Sequence, residues 1–250
     1  MLTAERHFII LQVLKEQGNA TVHELSEATG ASISTIRRDL VQLEELDKLK
    51  RVHGGATQYR TKWTEPSLNE KSSQNLTEKT SIATYAASLI EDGDCIFLDA
   101  GTTTQKVAEQ LRGKNLIAVT NGYQVVETLL ANGITTYLIG GKLKPNTGAM
   151  IGGKALEGIS TYRFDKSFIG INGIHESFGY TTADPEEAIM KKTAIDLSKE
   201  SYIVADHSKI GETAFSKVAE LHECTIITSH FTEPNLDKIS EQTTVEVVKL

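Results

Sequence analysis

The chain has 250 residues, with 39% apolar and 24% charged side chains and a formal net charge of −7. Such a composition suits one large or two modest globular domains, and apolar runs as short as Leu116–Val119 and Tyr202–Ala205 exclude a membrane-spanning helix. The start of the chain, with Glu5 and Arg6 leading into a helical pattern, does not read as a signal peptide. Cys95 and Cys224 flank apolar runs and read as buried, reduced thiols rather than a disulfide or metal site, so the expected compartment is the cytoplasm. Residues 1–60 carry eight basic and eight acidic side chains, so the whole negative balance lies in 61–250. The first segment lacks the basic footprint of many nucleic-acid binders, and its role has to be read from pattern.

Thr3 is placed to cap a first helix with Phe8, Leu11, Val13 and Leu14 as its apolar residues, and Gly18-Asn19 stops it. Thr21 and Glu24 form a capping box for a short second helix that turns Val22, Leu25 and Ala28 inward and closes at Gly30. Ser32 starts a third helix, where Ile33, Ile36, Leu40, Leu43 and Leu46 make one apolar stripe. The other side of its first turns presents Ser34, Thr35, Arg37 and Arg38, residue types that reach phosphates and base edges. A short helix, a glycine turn and a helix with a polar, basic first half predict a helix-turn-helix, whose second helix enters the DNA major groove. The run Leu49-Lys50-Arg51-Val52-His53-Gly54-Gly55-Ala56 then predicts a hairpin, a wing that lays Lys50, Arg51 and His53 along the phosphate backbone. The competing reading is a small helical bundle whose arginines are solvated surface charges.

From Gln58 to Gln74 the chain is polar and broken by Pro66, and Trp63 is its only tryptophan. The expected division is a winged helix-turn-helix over 1–58, a linker over 59–75 and a larger domain over 76–250. Thr77, Glu78 and Thr80 open the next helix, with Ile82, Tyr85, Ala86 and Leu89 inward. Strands are then predicted at Cys95–Leu98, Leu116–Val119, Thr136–Ile139, Ser167–Ile171, Tyr202–Ala205 and Thr225–Thr228, alternating with helices near 103–112, 123–131, 153–159 and 185–199. Alternation of this kind predicts an α/β domain with a mostly parallel, Rossmann-like sheet.

Such sheets bind ligands beyond the carboxyl ends of their strands. There the sequence offers Asp99-Ala100-Gly101-Thr102-Thr103-Thr104, a glycine turn with three hydroxyls at a helix start and a ready phosphate site. Thr120-Asn121-Gly122, Gly140-Gly141-Lys142-Leu143-Lys144, Gly170-Ile171-Asn172-Gly173-Ile174-His175 and Asp206-His207-Ser208-Lys209 follow later strands. Together they predict a pocket for a small polyhydroxy anion, lined by Asp99, Gly101, Thr102, Thr103, Thr104, Asn121, Lys142, Asn172 and Lys209. Asp184-Pro185-Glu186-Glu187 reads as a helix start, capped by Asp184 with Glu187 completing a capping box. No set of side chains with catalytic spacing appears, and no metal or cofactor motif.

The run Ser34-Thr35-Ile36-Arg37-Arg38-Asp39-Leu40, followed by Leu43-Glu44 and Arg51-Val52-His53-Gly54-Gly55-Ala56, resembles the DeoR-type winged helix-turn-helix. The loops at Asp99–Thr104, Thr120-Asn121, Gly140-Gly141 and Ala205–Lys209 resemble that family's sensor domain, so the resemblance covers essentially the whole chain. It implies a DNA-binding transcriptional repressor that is not an enzyme and holds no cofactor. Its partners would be double-stranded operator DNA, a sugar-phosphate effector and further copies of itself, in a dimer or tetramer, with no membrane. The family's sensor domain is similar to ribose-5-phosphate isomerase and glucosamine-6-phosphate deaminase folds, which implies that Gly101, Thr102, Thr103 and Thr104 hold the phosphate with Lys209 as cationic partner. Asn172 stands where those enzymes have an acid, which implies binding without turnover. Within the family the chain looks most like the fructose-operon branch, and the effector this implies is fructose 1-phosphate. The rival functions are a sugar-phosphate isomerase or deaminase with an added helical domain, and an activator responding to another sugar phosphate.

Overall fold

Capping residues set the helices of the N-terminal unit. The structure is a computed structural model that describes residues 1–46, 48–52, 54–58, 67–229 and 234–250. Helix α1 (Thr3–Gln17) starts after Leu2, so Thr3 is its first residue rather than its cap. Ile10 and Leu14, one turn apart, are fully buried, whereas Phe8 is 68% exposed. Phe8 lies two residues from Ile10, about 200° around the helix, and therefore faces away from the core that the sequence expectation gave it. Strand β1 (Asn19–Thr21) follows. Helix α2 (Val22–Thr29) has its capping box: Glu24 N–H donates to Thr21 Oγ1 at 3.2 Å, and Thr21 N–H donates to Glu24 Oε2 at 2.7 Å. Gly30 ends it in the left-handed conformation. Helix α3 (Ile33–Glu45) is capped by Ser32, whose Oγ accepts Thr35 N–H at 3.3 Å. Ile36, Leu40 and Leu43 are buried against Leu14 and Leu25, while Leu46 lies past the helix end and is exposed.

Strands β2 (Leu49–Val52) and β3 (Gly55–Gln58) form the predicted hairpin, and β1 adds to β3 in the antiparallel order β1-β3-β2. Gly55 faces Thr21 across that pairing, and a Cβ there would stand 2.2 Å from the Ala20 carbonyl oxygen. Only glycine allows the strands to close.

The chain separates into two compact units, Met1–Pro66 and Ser67–Leu250. Trp63 and Pro66, expected to mark the linker, lie outside the described residues. From Ser67 onward the stretch read as linker is structured: α4 (Leu68–Ser73) precedes α5 (Leu76–Ser88). Asn75, not Thr77, occupies the N-cap of α5.

The second unit is built on a seven-stranded sheet. Its elements in chain order are β4 (Cys95–Leu98), α6 (Thr102–Glu109), β5 (Ile117–Thr120), α7 (Tyr123–Ala131), β6 (Thr135–Leu138), the hairpin β7 (Lys142–Leu143) and β8 (Met150–Ile151), and α8 (Gly153–Ile159). Then come β9 (Phe164–Ile169), β10 (Gly173–His175), β11 (Gly179–Thr182), α9 (Pro185–Asp196), β12 (Ser198–Val204), β13 (Ser216–Ala219), β14 (Thr225–Ser229), α10 (Pro234–Ser240) and β15 (Val245–Val248). The sheet order is β15-β14-β12-β9-β4-β5-β6, and every pairing is parallel. Side chains alternate between its faces. Ile96 and Leu98 pack with α5, α6 and α7, while Phe97 packs with α8, α9 and the small antiparallel sheet β10-β11-β13. From β4 the chain builds outward through β5 and β6, then returns to β9 on the other side of β4. The topological switch point, where open α/β sheets bind ligands, is therefore the crevice between the carboxyl ends of β4 and β9. Both cysteines are free, and burial pushes the Cys224 thiol up to about 12. Among the described residues no helix is long and apolar enough to cross a membrane.

Candidate functional site

On the first unit, the first turns of α3 leave Ser34, Arg37 and Arg38 exposed, with Thr35 half-buried. Ser32 Oγ lies 2.9 Å from both Ser34 Oγ and Thr35 Oγ1, so the hydroxyls at the helix start form one cluster. The next residue, Asp39, faces inward and is 2% exposed. Arg6 grips it with two nitrogens, at 2.5 and 2.9 Å, and His7 Nε2 lies 3.2 Å away. Burial works against the Asp39 charge, but Arg6 and His7 outweigh it and hold the carboxyl below its usual range. The clamp ties α1 to α3 one residue beyond Arg38. On the hairpin, Lys50 and Arg51 are exposed, and Arg51 N–H donates to Glu44 Oε1 at 2.8 Å, fixing β2 to the end of α3. His53 lies outside the described residues.

On the second unit, the Asp99–Thr104 loop leaves β4 at the switch point. Gly101 sits at the N-cap of α6 and has no side chain to cap the first N–H groups of that helix. The Thr104 hydroxyl donates to the carbonyls of Asp99 and Gly101, at 2.6 and 2.9 Å, and so shapes the loop from inside. Thr102 is half-buried and Thr103 is 8% exposed. Asn121, at the end of β5, accepts Ala100 N–H on Oδ1 at 3.0 Å. Asn172 accepts from Thr182 Oγ1 at 2.6 Å. Lys142 stands apart, its side chain 74% exposed and 4.0 Å from Glu186. Lys209 is half-buried, with Nζ 3.0 Å from Ser208 Oγ.

Behind the loop lies a buried charge network that the sequence did not announce. Lys191 Nζ is 2.5 Å from Asp99 Oδ2 and 4.0 Å from Glu187 Oε2, and all three side chains are at most 5% exposed. Gly170 N–H, at the end of β9, donates to the same Asp99 oxygen at 3.0 Å, so this carboxylate spans the switch point. Burial pushes the Asp99 carboxyl up against the pull of Lys191. Glu187 Oε1 accepts from Lys144 Nζ and Thr147 Oγ1, both at 2.8 Å. Its expected part in a capping box is thus corrected: Asp184 alone caps α9, accepting the N–H groups of Glu186 and Glu187 at 2.8 and 3.3 Å. Glu187 and Lys191 are one turn apart on the inward face of α9, and this spacing beside Ala188, Ala194 and Ile195 was the available signal.

A second cluster gathers at the ends of β12 and β14. Lys79 is 4% exposed, and its ammonium donates to the Lys71 carbonyl at the end of α4. Burial lowers its pKa, while nearby Asp206 opposes that. Glu78, Asp206 and His207 bring ligand atoms within 4.8 Å of one another, the one such group among the described residues. Their atoms are already engaged: Glu78 pairs with His207 Nδ1 at 2.7 Å and accepts from Ser229, and Asp206 accepts from Asn75 at 2.9 Å and Ser208 at 2.5 Å.

Comparison with known proteins matches both units. The profile described as the DeoR-like helix-turn-helix domain matches residues 6–62, and that of the DeoR C terminal sensor domain matches residues 74–230. Over 250 residues the chain is 48% identical to the uncharacterized HTH-type transcriptional regulator FruR of Bacillus subtilis (strain 168), covering 100% of both chains. It is 36% identical over 228 residues to the HTH-type transcriptional repressor GlcR of the same organism, covering 91% of this chain and 88% of that one. The lactose phosphotransferase system repressor of Staphylococcus aureus (strain NCTC 8325 / PS 47) is 34% identical over 249 residues, 98% of each chain. Among solved structures, ribose 5-phosphate isomerase A from Methanocaldococcus jannaschii aligns with a TM-score of 0.42 at 16% identity, over 54% of this chain and 55% of that one.

Proposed function

Because the chain belongs to the DeoR family of helix-turn-helix transcriptional regulators, we propose that it is a cytoplasmic repressor of a sugar-utilisation operon, released from its operator by a sugar phosphate. Residues 1–58 bind DNA, 59–75 connect, and 76–250 sense the effector and assemble the oligomer. A dimer or tetramer presents two α3 helices to half-sites a helical turn apart. Arg37, Arg38, Lys50, Arg51 and His53 contact phosphates, while Ser32, Ser34, Thr35 and one of the arginines read bases.

The observation that carries the sensor reading is the Gly101–Thr104 loop at the β4–β9 switch point, where α6 starts on a glycine with no side chain to cap it and carries Thr102 and Thr103 in its first turn. Gly101, Thr102, Thr103 and Thr104 hold the phosphate, with Lys209 as its cationic partner and the exposed Lys142 adding charge from the β7–β8 hairpin. Asp99, Asn121 and Asn172 shape the polyol end of the pocket. The likeness to the fructose-operon branch supports fructose 1-phosphate as the effector.

Two substitutions test the division of labour. Arg37→Ala weakens operator binding by about 10- to 100-fold, the worth of one specific contact, and leaves effector affinity unchanged. Thr103→Ala leaves operator binding unchanged and raises the effector concentration needed for release by about tenfold or more, as for a lost hydrogen bond to a charged group. Wild-type operator affinity in the first variant, or wild-type release in the second, contradicts the assignment.

A further inference from the structure

We propose that α4 and the segment 144–150 form the element that carries effector occupancy from the phosphate loop towards the DNA-binding unit; this rests on the effector reading above. Two routes lead from the loop to that segment, one of hydrogen bonds and one of buried charges. In the first, Ala100 N–H donates to Asn121 Oδ1 at 3.0 Å, and Met150 N–H donates to the Asn121 carbonyl at 2.7 Å. In the second, Asp99 pairs with Lys191, which lies 4.0 Å from Glu187, and Glu187 accepts from Thr147 and Lys144 at 2.8 Å each.

Helix α4 rests on the far side of the segment. Leu68 N–H donates to the Asn146 carbonyl at 3.0 Å. Gly148, with φ of 61°, lies so close to Leu68 that a Cβ on it would stand 3.2 Å from Leu68 Cδ1. At its other end the Lys71 carbonyl accepts from the buried Lys79 ammonium. A helix of six residues has little stability of its own, so these contacts decide where α4 sits. Its capping box, with Ser67 N–H donating to Glu70 Oε2 at 2.7 Å, ties Ser67 to its first turn. Through residues 59–66 it is covalently continuous with β3 of the DNA-binding unit. Occupancy of the loop acts on DNA affinity only as far as the effector binds one arrangement of this element better than another.

The test uses the full chain, fructose 1-phosphate, and DNA from upstream of the protein's own gene. Leu68→Pro removes the N–H that meets Asn146 at the first helical position, where proline is tolerated. Thr147→Val removes one hydroxyl at nearly constant volume. Each variant should bind DNA alone, and effector alone, within about threefold of wild type, as for changes outside both sites. The effector-induced weakening of DNA binding should fall by about tenfold or vanish, within the usual range of coupling factors. Unaltered release in both variants overturns the proposal, as does an effector affinity lowered by about tenfold or more in both. Should either variant fail to melt as wild type does, the other decides. A wild-type protein that ignores every sugar phosphate refutes the effector reading itself, and the proposal with it.

Discussion

Replacing Lys191 by methionine tests whether the switch point is held by a buried ion pair. The Lys191 and Asp99 side chains are 5% and 2% exposed and 2.5 Å apart, and the same Asp99 oxygen also accepts Gly170 N–H at 3.0 Å. Methionine fills most of the lysine volume, so the cost is chiefly electrostatic. Removing one partner of a buried pair costs about 3–5 kcal/mol, because the remaining charge is stranded. For a unit of this size each kcal/mol moves the melting temperature by roughly 2–4 °C, so a fall of about 6–20 °C is expected. Calorimetry on the intact chain should show it in the transition of the second unit and leave that of the first unchanged. Adding Asp99→Asn should recover part of the loss, since no stranded charge remains. The stranded carboxyl can also escape by taking a proton. With a folded-state pKa above the unfolded value, the folded state binds more protons, and stability is lost as pH rises. The deficit should therefore be smaller at about pH 5 than at about pH 8. A melting temperature that does not change, or a double variant less stable than Lys191→Met alone, refutes the argument.

The Asp39 clamp has the opposite sign. Its folded-state carboxyl lies below its usual range, since Arg6 and His7 outweigh burial, so its contribution is present above the unfolded value and lost as pH falls through the folded one. Between about pH 6 and pH 3 the melting transition of the first unit should drop further in wild type than in Asp39→Asn, and equal slopes would refute the clamp. Gly55→Ala forces a methyl against the Ala20 carbonyl, 2.2 Å from the ideal Cβ position, and should destabilise the first unit by roughly 1–3 kcal/mol in a denaturant titration, with loss of operator binding. Normal stability in that variant would mean that β1 does not pair with β3.

Local signals were legible where the physics is local. The capping box at Thr21 and Glu24, the cap at Ser32 and the stop at Gly30 are each decided within four residues; α2 begins and ends by them, and α3 begins by them. Five strands of the parallel sheet, β4, β5, β9, β12 and β14, contain buried apolar residues and show in the sequence as such, whereas the edge strand β6 is mostly exposed. Strand β15 and the strands of the β10-β11-β13 sheet are three or four residues long, too short to display a period, and their pairing is tertiary. The loop at Asp99–Thr104 stood out because glycine and threonine there have few other uses. The network behind it did not: Lys191-Lys192 reads as a solvated pair, and nothing local says that one side chain enters the core while its neighbour meets Asp196 at 2.6 Å on the surface. In the same way Lys142 and Lys144 look equivalent in sequence, yet only Lys144 reaches buried Glu187.

The most direct test of the account is a gel shift with the intact protein and DNA from upstream of its own gene, with a panel of sugar phosphates added one at a time. The account predicts a retarded complex that fructose 1-phosphate dissolves and unphosphorylated fructose does not. A complex that persists through the whole panel would contradict the sensor reading, and no complex at all would contradict the DNA-binding one.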